Sequence, residues 1–151
     1  MSFWIDRCGC RTLSQGSWYG TSICGAGVQI AALTADKDRP ACIILARKIE
    51  PDGWLVVLMP ITHSVPAAGE LAIEIPPRVA QHLGLDAQRS WVIASEANID
   101  VWPSPDLRPI SGKGDSCDYG FLPPRLSRTI LERFAEARRS GIAALVDRSE
   151  S

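Results

Sequence analysis

Between positions 28 and 102 the apolar residues come in short blocks, each closed by proline, glycine or charge. Ala41-Cys42-Ile43-Ile44-Leu45-Ala46 begins after Pro40 and ends at Arg47-Lys48. Trp54-Leu55-Val56-Val57-Leu58-Met59 begins after Gly53 and ends at Pro60. Blocks this short and this rich in β-branched residues read as buried strands, because a helix needs a longer apolar stripe. Glu50-Pro51-Asp52-Gly53 lies between them and carries the composition of a tight turn. The two blocks therefore read as the arms of a hairpin. Pro60 has no N–H to donate, so the second arm is expected to leave its ladder there.

Other segments extend the pattern. Val28-Gln29-Ile30-Ala31 alternates weakly, and Leu71-Ala72-Ile73-Glu74-Ile75 alternates as a half-buried strand does. Ser90–Ser95 reads as another strand, which Glu96–Trp102 continues or bends away from. Pro103-Ser104-Pro105-Asp106 stops it, Leu107–Ile110 is expected to form one more short edge strand, and 111–118 an exposed, mobile loop. Pro76-Pro77 opens a short helical turn through Val79, Leu83 and Leu85, with Gly84 near its end. One long helix is expected, from Arg125 to about Ser140, with Leu126, Ile130 and Phe134 on one stripe and Gly141 as its stop. Short strands, tight turns and one late helix predict a mainly β, α+β fold: a small barrel with a C-terminal helix packed on it. They exclude an alternating βα fold.

A chain of 151 residues fits one domain. Residues 1–27 read as an irregular N-terminal segment, with five glycines (Gly9, Gly16, Gly20, Gly25, Gly27), and 28–145 as the folded domain. A net charge of -1 excludes a protein that coats nucleic acid by charge alone. The five cysteines (Cys8, Cys10, Cys24, Cys42, Cys117) are an odd number, which argues against a complete disulfide framework. Cys8-Gly9-Cys10 finds no second Cys/His pair, so no metal is expected and the thiols read as reduced. No apolar run approaches the roughly 20 residues of a membrane span. The expectation is a cytoplasmic protein without a membrane partner.

The chain carries no G-x-S-x-G, Walker loop, H-E-x-x-H or paired C-x-x-C. Of the two histidines, His82 lies on the short helical turn and reads as structural or solvent-facing. His63 sits between Thr62 and Ser64 at a strand end. In a hairpin the start of one arm lies beside the end of the other. That places Arg39, within Lys37-Asp38-Arg39-Pro40, near the hydroxyls of Thr62 and Ser64. A guanidinium fork beside hydroxyl donors suits a phosphate or a phosphorane gaining negative charge. The plainer alternative is a surface turn with an ion pair between Asp38 and Arg39.

The same residues carry a family resemblance. Arg39-Pro40-Ala41-Cys42-Ile43-Ile44-Leu45 followed by Met59-Pro60-Ile61-Thr62-His63-Ser64 resembles the PemK/MazF-like toxins of bacterial toxin–antitoxin modules. So do Ser90–Ile93, Glu96-Ala97-Asn98, Trp102-Pro103, Asp106-Leu107-Arg108-Pro109 and Tyr119-Gly120-Phe121-Leu122-Pro123. The resemblance covers about residues 37–135. It implies an SH3-like barrel acting as a metal-independent endoribonuclease on single-stranded RNA, with no cofactor. The ribose 2′-OH attacks its own 3′ phosphodiester, leaving a cyclic phosphate and a free 5′-OH.

Under that resemblance Arg39 stabilises the phosphorane, Thr62 holds a non-bridging oxygen and Ser64 supports it. Asp38 and Glu96 are candidates to orient Arg39 or to take the 2′-OH proton, and His63 is a third candidate base. Lys37, Arg108 and Arg125 are candidates to line an RNA groove, and Trp102 and Tyr119 to stack on bases. A homodimer and a small antitoxin whose extended segment occupies the groove are further implications. Residues 1–30 lack the Pro-x-x-Gly-Asp/Glu signature of the family's first strand. That departure favours the alternative reading, a catalytically inactive SH3-like barrel that binds RNA or protein.

Overall fold

The structure, a computed structural model, describes residues 22–23, 29–34, 38–49, 53–102, 108–114 and 118–147. Side chains are described at 40–44, 55–101, 108–114 and 119–147. The elements follow in the order β1 (Ser22–Ile23), β2 (Gln29–Thr34), β3 (Asp38–Ile49), β4 (Gly53–Thr62), β5 (Ala72–Ile75), α1 (Pro77–Leu83), β6 (Ser90–Ile93), β7 (Glu96–Trp102), β8 (Asp118–Phe121), α2 (Pro124–Arg139) and β9 (Ala144–Asp147). The fold is mainly β with a mixed sheet and two helices among the described residues, an α+β arrangement.

The expected hairpin is the centre of the sheet. β3 and β4 pair antiparallel from Ile49↔Gly53 to Ala41↔Pro60, with an irregularity between Ile43 and Leu45. β2 covers the other edge of β3 and carries β8 beyond it. Pro60 is where β4 changes partner: Ile61 and Thr62 pair with Val92 and Trp91 of β6 instead. Farther back, Trp54–Leu58 pair with β7, the last couple being Leu58↔Asn98. β6 and β7 thus share one edge of β4, with a corner at Ala94-Ser95 opposite the proline that cannot donate. β9 adds to β7 in parallel, from Glu96↔Ala144 to Ile99↔Asp147.

Several boundaries differ from the sequence-based expectation. β3 begins at Asp38, ahead of Pro40, because Arg39 and Pro40 pair with Leu33 and Ala32 of β2. β1 lies within the segment expected to be irregular and pairs with Leu45 and Ala46 of β3. Arg108–Ile110 forms no strand; Pro109 has no donor for a ladder, and Ile110 is buried instead. Asp118, expected in a loop, opens β8. Lys113, in the same expected loop, is tied down, its Nζ donating to Leu83 O at 3.2 Å.

Both helices start on a Pro-Pro doublet, Pro76-Pro77 and Pro123-Pro124, whose second member sits in the first helical turn. A proline there removes only an N–H that has no helical partner. Gly84 ends α1 with φ +73, and Leu85 N–H reaches back to Ala80 O at 3.0 Å. An L-residue would be strained at that position.

Cys42, Ile44, Met59, Ile61, Val92, Leu83, Leu122, Ile130 and Phe134 form one core between the sheet and the two helices. Burial pushes the free Cys42 thiol far above its ordinary range, so it behaves as a small apolar side chain. No helix among the described residues is long and apolar enough to cross a membrane.

Candidate functional site

Three strands carry sequence-predicted site residues to one end of the sheet. Ala41↔Pro60 is the last couple of β3 with β4, and Arg39 and Thr62 each lie two residues beyond it. At about 3.3 Å per residue, each is roughly 7 Å past the end of that ladder. Glu96 opens β7 at the corner beside Pro60, two residues before Asn98, the last partner of β4 in that ladder. The register therefore gathers Asp38, Arg39, Thr62 and Glu96 around the point where β4 changes partner. The side chains of Asp38 and Arg39 lie outside the described residues, as does Lys37 entirely.

Thr62 is half-buried and stands opposite Trp91. Its Oγ1 accepts the N–H of Ser64 at 3.1 Å, which turns the chain sharply at the strand end. His63 and Ser64 are exposed. His63 Nε2 lies 2.9 Å from Asp86 Oδ2. His63 Nδ1 lies 3.0 Å from Arg89 O and 3.2 Å from Ser90 Oγ. The buried Ser90 hydroxyl also reaches Gln88 O at 3.3 Å.

Which of these contacts are hydrogen bonds depends on where the ring carries its hydrogens, since Arg89 O only accepts. A neutral ring donates from Nε2 to Asp86 and accepts the Ser90 O–H at Nδ1. A protonated ring donates from Nδ1 to Arg89 O while Ser90 turns to Gln88 O. Both ring nitrogens are engaged, so His63 must release a partner before it can serve a substrate as base. Ser90 is 1% exposed, which removes it as a nucleophile toward a large substrate.

Asp86 also accepts the Gln88 N–H on Oδ1 at 3.1 Å. Burial, and then the charge of Asp86, push the Tyr119 phenol above its ordinary range. Lys113 Nζ lies 5.2 Å from the centroid of the Tyr119 ring while donating to α1. Tyr119 is thereby placed on the same side of the molecule as the His63 network.

The remaining predicted residues are spread out. Trp102 pairs with Trp54, eight residues along β4 from Thr62 and roughly 26 Å away in an extended strand; its side chain lies outside the described residues. Arg108 and Arg125 are exposed, Arg125 on the first turn of α2. His82, expected to be structural or solvent-facing, is exposed on α1. Asp86, Arg89, Ser90 and Lys113 escaped sequence reasoning. A polar Asp-x-x-Arg-Ser segment wedged between a helix stop and a buried strand was the available signal. Among the described residues no cluster of three metal-ligating side chains is present. No family model, curated protein or solved structure matches the chain.

Proposed function

We propose that this chain is a PemK/MazF-like toxin: a metal-independent endoribonuclease that cleaves single-stranded RNA, its sheet curling into a small SH3-like barrel. One observation carries the reading. β3 and β4 part company at Ala41↔Pro60, so Arg39 and the Thr62 turn leave the ladder from the same end, with Glu96 at the adjoining corner. Those are the residue types that a phosphodiester cleavage needs: a guanidinium, a hydroxyl and a carboxylate.

The nucleophile belongs to the substrate, since the ribose 2′-OH attacks the neighbouring phosphorus. The protein's task is to hold the phosphate and to stabilise the charge that develops on it. Thr62 Oγ1 accepts one hydrogen bond from Ser64 N–H, and its own hydrogen donates to a non-bridging oxygen. Arg39 supplies the compensating charge, and Ser64 supports the oxygen beside Thr62. Glu96, on an exposed strand start, or Asp38 takes the 2′-OH proton; His63 does so only after giving up Asp86 or the Arg89 carbonyl. Lys37, Arg108 and Arg125 serve RNA binding by charge. A homodimer and an antitoxin segment seated over the Thr62 end belong to this reading.

The test is incubation of purified protein with mixed-sequence single-stranded RNA in the presence of EDTA. Fragments ending in a 2′,3′-cyclic phosphate are expected, with Thr62→Ala and Arg39→Ala each slowed on the order of 10²- to 10³-fold. RNA binding without cleavage would instead favour the inactive binding module, which the missing N-terminal signature supports. No binding and no cleavage would remove both.

A further inference from the structure

Thr62, Trp91 and Glu74 stand directly opposite one another across β4, β6 and β5. Opposed residues in antiparallel strands share a face, so these side chains form one row with a spacing of about 4.8 Å per strand. Arg89 closes over that row. Its Nε and Nη2 donate to Glu74 Oε1 and Oε2 at 2.7 and 2.9 Å. Its Cζ lies 4.9 Å from the centroid of the Trp91 ring.

Trp91 is 7% exposed, whereas the Arg89 side chain is 65% exposed. The guanidinium carbon sits over the indole and Nε and Nη2 are held by the carboxylate, while most of the side chain stays in solvent. The carbonyl of Arg89 lies 3.0 Å from His63 Nδ1, so this residue's backbone sits against the turn that follows Thr62.

Glu74 already compensates the charge of Arg89, which makes it a poor receptor for a phosphate. What remains is a flat, pre-oriented cation, the surface on which unpaired bases stack. We propose that the exposed face of Arg89 is a stacking platform for one unpaired nucleobase of single-stranded RNA bound beside Thr62. This inference rests on the ribonuclease reading and adds to it a contact to a base rather than to the backbone. Glu74 and Trp91 are positioning residues that hold the plane.

The experiment measures the affinity of a short, labelled 2′-O-methyl RNA, which cannot be cleaved because its nucleophile is blocked. A set of the same oligomers, each missing one base, is bound to wild type and to Arg89→Lys, which keeps the charge and loses the plane. The intact oligomer is expected to bind Arg89→Lys on the order of tenfold more weakly. At one position, loss of the base should cost wild type that same factor and cost Arg89→Lys nothing.

The platform is overturned if every missing base costs both proteins equally, or if Arg89→Lys binds as tightly as wild type. Should Arg89→Lys fail to fold, Glu74→Gln, which frees the plane, is read in the same way. Cleavage of unmodified RNA by wild type, run alongside, separates the two claims. If wild type cleaves and the base coupling is absent, the platform alone falls; if wild type neither binds nor cleaves, both fall.

Discussion

His63 Nε2 and Asp86 Oδ2 lie 2.9 Å apart and join the end of β4 to the loop between α1 and β6. The two side chains are 36% and 53% exposed, so the pair itself is worth less than about 1 kcal/mol. Asp86 has a second task, since its Oδ1 holds the Gln88 N–H and shapes the loop that presents Arg89 and Ser90.

Asp86→Ala removes both contacts and is expected to cost about 1 kcal/mol, a fall in Tm of about 2–4 °C. Asp86→Asn keeps the carbonyl oxygen for Gln88 and should lose less. Thermal denaturation followed by circular dichroism reads both variants. Equal losses for the two would show that the loop contact with Gln88 contributes nothing.

Tyr119 sets the alkaline side of stability. Burial, then the Asp86 charge, favour its neutral phenol in the folded state. A folded value above the unfolded one means that the contribution is intact below about pH 10 and is lost as pH rises through the folded value. In a Tyr19→Phe background the phenolate absorbance should therefore appear later than for a free tyrosine. Asp86→Asn should bring it part of the way back. A titration coincident with free tyrosine would contradict the packing of Tyr119 described above.

Glu74 acts at the opposite limit. Its hydrogen bonds to Arg89 hold the carboxyl below its usual range; burial opposes them, and the charge of the guanidinium adds a smaller lowering. The pair therefore adds stability above the ordinary carboxylate value of about 4.3, and that stability is lost as pH falls through the lower folded value. Urea midpoints of wild type and Glu74→Gln should differ at neutral pH and converge in acid. A difference that persists unchanged into strong acid would show that the ion pair is not its source.

On α2 the two faces should respond very differently. Ile130 is fully buried against the sheet, and Ile130→Ala is expected to cost about 2–5 kcal/mol. Glu132, two residues on, is exposed, and Glu132→Ala should stay within about 0.5 kcal/mol of wild type. Chemical denaturation of both variants checks the orientation of the helix; comparable losses would mean that α2 is rotated from the arrangement described.

Much of this architecture was legible because it is encoded locally. The Pro-Asp-Gly turn and its two apolar arms identify the β3–β4 hairpin, and Pro60 identifies where the pairing changes. The stripe Leu126, Ile130, Phe134 identifies α2, Gly141 marks its end and Gly84 that of α1. The His63 network was not legible. Asp86, Arg89 and Ser90 lie more than 20 residues from His63 in the chain, and the polar segment that carries them gives no sign of which strand end it meets. The expected edge strand is absent at Arg108–Ile110 for a related reason: an apolar residue after a proline looks like an edge strand, yet Ile110 is buried without entering a ladder.

By itself the sequence determined where strands start, turn and stop, because backbone donors, φ restrictions and apolar periodicity act within a few residues. It also placed a polar Thr-His-Ser triplet at a strand end. Only the tertiary structure decided what meets that triplet. Strand register laid Trp91 and Glu74 in a row with Thr62, and the loop after α1 brought Asp86 and Arg89 onto it. Those contacts span the sheet, and cross-strand neighbours are set by pairing partners rather than by chain order.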